Sequence, residues 1–299
     1  MTFAAKGVYC AAATPLNADL SPDLGLMVSH CRDLLDNGCH GISLLGSTGE
    51  ANSFSIPERK AILEAVVKAG IAPETLLPGV GLPAFPDTIE LTRHALSLGV
   101  THVLMLPPFY YKGLADQGMV DAYSRIIEGV ADDRLRIVLY HIPPIAQVPI
   151  PNAVIAALIA RYPGTIIGVK DSGGDFEHMK SVVETFPDLS LFAGADPLML
   201  PILKLGGGGC ITAACNLVSR ELRTVFDNFD RPEKAAEVEA AQAKIVAARS
   251  LANRYMQLPT IKTLLALRTG HDGWARVRPP LVALDAAERQ SLLPDLQAL

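Results

Sequence analysis

The chain has 299 residues, 49% apolar and 19% charged, the balance of a folded globular protein with enough length to bury a core without disulfides or metals. Its 26 Lys and Arg against 31 Asp and Glu leave a net charge of −5, and no basic cluster is dense enough to track a phosphate backbone, so nucleic acid is not an expected partner. The longest uncharged stretch, residues 137–160, holds Pro143, Pro144, Pro149 and Pro151 with Gln147 and Asn152, which does not read as a bilayer helix, so no membrane is expected either.

The first apolar run, residues 7–13, is broken by Thr14-Pro15 and lacks the long core of a signal peptide. Seven further short runs follow: 41–45, 76–80, 102–106, 136–140, 166–170, 189–193 and 209–213. All are rich in Val, Ile and Leu with little polar alternation, the pattern of strands buried on both faces. Longer amphipathic segments lie between them. They open on helix-start signals such as Ser21-Pro22-Asp23, Pro57-Glu58, Pro86-Asp87-Thr88 and Asp175-Phe176-Glu177, and many close near a glycine: Gly38, Gly70, Gly99, Gly206. Eight strand–helix units in about 230 residues most simply close into an α/β fold of the (β/α)8 TIM-barrel class, which needs ~250 residues.

An open doubly wound sheet fits less well. Gly79-Val80-Gly81 followed by Ala84 matches a dinucleotide fingerprint, but Pro83 and Pro86 stand where the phosphate-binding helix should begin, and no acidic residue ends the next strand. From Arg231 onward the composition shifts to Ala, Glu, Leu and Arg with helical period. Helices are expected over 232–255, 260–268 and 285–299, with a loop over 269–280. The expected division is thus a barrel over 1–230 carrying the active site and a C-terminal helical extension over 231–299.

In a barrel the chemistry sits where the strands end. The second run ends in residues 46–50, Gly-Ser-Thr-Gly-Glu, whose backbone N–H groups and hydroxyls suit a carboxylate. The fourth ends Pro107-Pro108-Phe109-Tyr110-Tyr111 and the fifth Tyr140-His141-Ile142-Pro143-Pro144. The sixth ends Lys170-Asp171-Ser172-Gly173-Gly174, the seventh Gly194-Ala195-Asp196, and the eighth runs through Ile211 and Thr212 to Asn216. Lys170 closes an apolar run where a charged side chain is costly, and a neutral amine there can attack a ketone to form a Schiff base. Tyr140 ends the neighbouring strand, and a phenol both donates and accepts protons. The seven histidines form no H-x-H or H-x-x-x-H pair and no strand-end cluster resembles a metal site, so neither a metal nor another cofactor is expected. Five cysteines without a CxxC read as buried reduced thiols of a cytoplasmic protein.

Five motifs in this order, G-S-T-G-E (46–50), P-F-Y-Y (108–111), Y-x-I-P (140–143), G-V-K-D (168–171) and G-G-G-G-C-I-T-x-x-x-N (206–216), resemble the dihydrodipicolinate synthase / N-acetylneuraminate lyase family over essentially the whole chain. The resemblance implies a class I, metal-free lyase in which pyruvate, or a 2-oxo acid yielding it, is held as an imine on Lys170. It implies that Tyr140 shuttles protons with Ser47 as relay partner, and that Thr48 binds the pyruvate carboxylate. Ile211 would line the pyruvate pocket through its backbone. Tyr110 would reach into a neighbouring subunit's relay, implying a homotetramer built as a dimer of dimers. Gly46, Ser172, Gly194, Asp196, His141 and Ile145 are the further candidates for contact with substrate.

Departures from the family pattern bear on the acceptor. Ile145 stands where dihydrodipicolinate synthases place an acceptor-binding arginine, and His141 replaces the usual asparagine. Pro197 and Ala213 depart from the sialic acid lyase pattern, although Asp196 is kept. The run Lys-Asp-Ser-Gly-Gly-Asp, residues 170–175, looks more like 4-hydroxy-2-oxoglutarate and 2-keto-3-deoxy sugar-acid aldolases. The expected activity is therefore reversible cleavage of a 2-oxo acid to pyruvate and an aldehyde. Dihydrodipicolinate-type condensation, dehydration of a 2-keto-3-deoxy acid on the same scaffold, and a non-catalytic 2-oxo-acid binder are the alternatives.

Overall fold

The computed structural model describes residues 6–299; the first five residues of the expected barrel segment lie outside the described residues. The chain opens with β1 (Gly7–Ala11), α1 (Leu24–Asp36), β2 (Gly41–Ser43) and α2 (Ile56–Lys68). Next come α3 (Phe85–Ser97), β3 (His102–Met105), α4 (Asp116–Val130), β4 (Arg136–His141), α5 (Pro143–Ala146), α6 (Asn152–Arg161), β5 (Ile166–Asp171), α7 (Phe176–Thr185), β6 (Ser190–Ala193), α8 (Met199–Lys204) and β7 (Gly209–Thr212). It ends with α9 (Cys215–Asn228), α10 (Ala235–Ala252), α11 (Gln257–Thr269) and α12 (Ala286–Gln297). No helix among the described residues is long and apolar enough to cross a membrane.

Two compact units divide the chain. One is built from Ala72–Ile211 with Gly7. Its strands pair in parallel: β3 with β4, β4 with β5, β5 with β6 and β6 with β7. Val103, Leu104, Ile137, Val138, Leu139, Val169, Leu191 and Phe192 are buried, as the near-continuous apolar runs require. Burial of each such side chain contributes about 1.5–3 kcal/mol. Helix α7 starts where the sequence signal placed it, with the Asp175 carboxylate accepting the N–H groups of Glu177 and His178.

The run 76–80 departs from expectation. It forms no strand, only an isolated parallel bridge between Gly79 and Leu104. The Leu104 N–H donates to the Pro78 carbonyl and the Val80 N–H to the Leu104 carbonyl. Pro78 has no N–H of its own, which limits the ladder to that short contact.

The other unit combines Val8–Ile71 with Thr212–Leu299. Its β1 and β2 pair in parallel. Asp23 caps α1 through the Leu26 N–H, and Ser55 with Glu58 forms a reciprocal capping box on α2. The C-terminal composition shift folds as helices. The stretch expected to be loop, 269–280, includes a 3-10 turn that buries Trp274, whose ring meets His30 edge-on at 4.7 Å. All five cysteines of the chain are buried and outside disulfides; burial pushes the Cys31 thiol up to about 12 and raises Cys10 as well.

Candidate active site

On β4 and β5, Tyr140 and Lys170 are register partners and therefore share a face of the sheet. Both are 3% exposed, and the Lys170 Nζ lies 4.1 Å from the centre of the Tyr140 ring. An amine held against an aromatic face has its position fixed by that packing. Lys170 is likewise in register with Phe192 on β6, a wholly buried aromatic of the neighbouring strand. The sequence pattern gives no reason to single out Phe192; only the register does.

One residue further along each strand the side chains face the other way. His141 and Asp171 are register partners there. The His141 Nδ1 accepts the Ile150 N–H at 3.1 Å, which leaves any proton of the neutral ring on Nε2. The Asp171 carboxylate accepts the Gly173 N–H at 2.7 Å and bonds the His178 Nδ1 at 2.6 Å. The two imidazoles stack at 4.3 Å with planes 15° apart. Burial holds the His141 ring below the usual histidine range, while the Asp171 bond raises His178 above it. His141, proposed from sequence as a substrate contact, is thus turned away from the Tyr140–Lys170 face.

The same three residues bring donor atoms within 4.8 Å of one another, a gathering that the spacing of the histidines in sequence does not reveal. Nearly parallel stacked rings keep their in-plane lone pairs from converging on one point, and the His141 Nδ1 is already engaged. The trio is arranged as a hydrogen-bonded stack rather than as a coordination sphere.

Ser172 and Gly194 meet at the ends of β5 and β6. The Gly194 N–H donates to the Asp171 carbonyl, and a Cβ on Gly194 would lie 2.0 Å from the Ser172 Oγ, so only glycine fits. Asp196 is fully buried in the turn that follows, and Ile211 is fully buried on β7. Tyr110 and Ile145 stand apart from this packing, 71% and 69% exposed. Tyr110 stacks edge-on with Tyr111 in the segment after β3, and Ile145 sits on α5. Lys112 donates to the carbonyls of Phe109 and Ala146, linking that segment to α5.

In the other unit, β2 gives way to the Gly-Ser-Thr-Gly-Glu loop when Leu45 turns left-handed, φ 56°. The Gly46 carbonyl accepts the N–H groups of Gly49 and Ala51, and the Thr14 hydroxyl donates to the Gly49 carbonyl. A Cβ on Gly49 would come within 2.9 Å of the Ala12 carbonyl oxygen. Gly46 is buried, and Ser47 and Thr48 are half-buried. Glu50 closes the loop in the left-handed region, φ 55°, with its side chain buried.

Residues 4–299 match the Dihydrodipicolinate synthetase family. The chain is 35% identical over 288 residues to an uncharacterised DapA-like lyase of Chloroflexus aurantiacus, covering 96% of this chain and 94% of that one. It is 29% identical over 293 residues to the 4-hydroxy-tetrahydrodipicolinate synthase of Bacillus subtilis, covering 98% of each. The crystal structure of dihydrodipicolinate synthase from Agrobacterium tumefaciens superposes with a TM-score of 0.87 at 30% identity, covering 98% of this chain and 99% of that one. The fold class is accordingly the (β/α)8 barrel with a C-terminal helical region, as the strand pattern implies. Parallel strands ending in a buried Tyr–Lys pair, a Gly-Ser-Thr-Gly-Glu loop and a match along nearly the full length place the chain in the dihydrodipicolinate synthetase family.

Proposed function

We propose that the protein is a Schiff-base lyase that reversibly cleaves a 2-oxo acid to pyruvate and an aldehyde, without a metal or another cofactor. The observation that carries this reading is the buried Lys170 amine, held 4.1 Å from the Tyr140 ring at the ends of adjacent parallel strands. The neutral amine attacks the 2-oxo carbon, water leaves, and an imine links substrate to Lys170. The protonated imine draws the electrons of the bond between carbons 3 and 4 as that bond breaks. The hydroxyl on carbon 4 gives up its proton and becomes the aldehyde. Protonation of the resulting enamine at carbon 3, then addition of water, releases pyruvate and restores the amine.

Tyr140, with Ser47 as relay partner, handles these protons. Thr48 holds the carboxylate with its N–H and hydroxyl, supported by Gly46, and the Ile211 backbone lines the same pocket. Ser172, Gly194 and Asp196 shape the acceptor end. Tyr110 completes the relay of a neighbouring subunit in a homotetramer, a role to which its 71% exposure lends support. Five buried thiols outside disulfides support a cytoplasmic place of action. Dihydrodipicolinate-type condensation is the second reading, favoured by the relatives that carry that name and opposed by Ile145 at the acceptor arginine's position.

Borohydride trapping tests the proposal. Pyruvate with borohydride is expected to inactivate the enzyme and leave a stable adduct on the peptide containing Lys170. Lys170→Ala should fold, take no adduct and lose nearly all turnover. An adduct on a different lysine, or an active Lys170→Ala protein, overturns the reading. A screen of 2-oxo acids separates aldolase from dehydratase: pyruvate release marks the first.

A further inference from the structure

The Ser47–Thr48 segment is bracketed by two side-chain-bearing residues in the left-handed region, Leu45 and Glu50. Such conformations persist only where the surroundings over-determine them. At Glu50 the surroundings come from the C-terminal region. One carboxylate oxygen pairs with the Lys262 ammonium of α11, and neither side chain has any exposed surface. The other oxygen accepts the Arg278 main-chain N–H at 3.1 Å. The Arg278 guanidinium is itself fixed, donating to the carbonyls of Ser53 at 2.7 Å and Leu20 at 2.9 Å and to the Glu58 carboxylate, while lying 4.4 Å from the centre of the Phe54 ring.

A fully buried Lys–Glu pair is a poor device for stability alone, because apolar side chains of similar volume often do as well. What it adds is direction: both carboxylate oxygens are pinned, so the backbone at Glu50 cannot rotate without breaking a buried charge contact. We infer that Lys262, together with the Arg278 N–H, positions the carboxylate-binding loop, setting through Glu50 the angle at which Thr48 presents its N–H and hydroxyl. The inference rests on the Schiff-base reading for the identity of the loop's ligand. Lys262 touches no substrate; it is a positioning residue acting through Glu50.

The test measures the pyruvate concentration that gives half-maximal borohydride inactivation, alongside kcat and Tm, in wild type, Lys262→Met and the double variant Glu50→Gln/Lys262→Met. Removing the ammonium alone strands a buried carboxylate and lowers Tm. The double variant removes both charges, so it decides the matter should the single one not fold. Loosening the loop is expected to raise the half-saturating pyruvate concentration by about tenfold or more in each folded variant. Saturating pyruvate should still label Lys170 fully, and kcat should change far less than the pyruvate requirement. A purely structural role would lower Tm and leave pyruvate dependence unchanged, and that result in a folded variant overturns the inference while wild-type trapping leaves the Schiff-base reading intact. Absence of any adduct in wild type removes both.

Discussion

Asp171 follows Lys170 directly, yet its carboxylate meets His178 on the other side of the strand, 2.6 Å from the imidazole Nδ1. That bond raises His178 above its ordinary range of ~6.5, burial opposes it, and Asp171 and Asp175 both favour the charged ring. A histidine whose folded value exceeds its unfolded one stabilises fully below the unfolded value, and the contribution fades as pH rises through the folded value. His178→Gln should therefore lower Tm by about 2–6 °C at pH ~5.5, from a charge-assisted bond of ~1–2 kcal/mol. The deficit should shrink by pH ~8.5. Thermal unfolding of both proteins at the two pH values checks this; a deficit that grows with pH contradicts it.

Tyr140→Phe keeps the ring beside the Lys170 amine and removes only the hydroxyl. Imine trapping with pyruvate should survive, while kcat falls about 10²–10⁴-fold with modest change in KM, the range for a lost acid–base group. Steady-state kinetics together with adduct mass separate the two effects. Loss of trapping itself would assign the tyrosine a different role.

The proposed role of Tyr110, which is 71% exposed, is to complete the relay of a neighbouring subunit. Tyr110→Phe is expected to lower kcat less than Tyr140→Phe does. Dilution that dissociates the oligomer should lower specific activity in parallel. Light scattering and activity measured over the same concentration series test the link, and a fully active monomer breaks it.

Ile145 bears on acceptor choice. A second carboxylate entering the pocket must shed water, and a bond to arginine is what ordinarily offsets that cost. Ile145 supplies no donor, and Lys112 already donates to the Phe109 and Ala146 carbonyls. His141 faces away from the Tyr140–Lys170 side, with its ring held toward the neutral form. Neutral or polyhydroxylated aldehydes should therefore outperform aspartate semialdehyde in kcat/KM for condensation with pyruvate. Comparing glyceraldehyde, glyoxylate and aspartate semialdehyde decides it, and efficient use of the last refutes the expectation.

Much of the fold is legible in residue order because parallel strands buried on both faces announce themselves as unbroken apolar runs, and helix caps such as Asp23 and Asp175 mark where the next element begins. Legibility fails where a single backbone event decides. Pro78 denies its run a donor, and Leu45 ends β2 early by turning left-handed. The Tyr140–Lys170 pairing was readable as two strand ends, but the facing of His141 depended on a register that sequence does not give. The tie between Glu50 and Lys262 spans 212 positions, and nothing local signals it.

The strict alternation along β4 and β5 has a consequence for how such an enzyme can change. Positions 140 and 170 face one side and positions 141 and 171 the other, so neighbouring codons control different properties. Substitutions at 141, 171 and 178 should alter acid and heat tolerance while the side chains at 140 and 170 keep their places. A laboratory lineage selected for survival under harsher conditions should collect its changes on that second set, leaving positions 140 and 170 as they are.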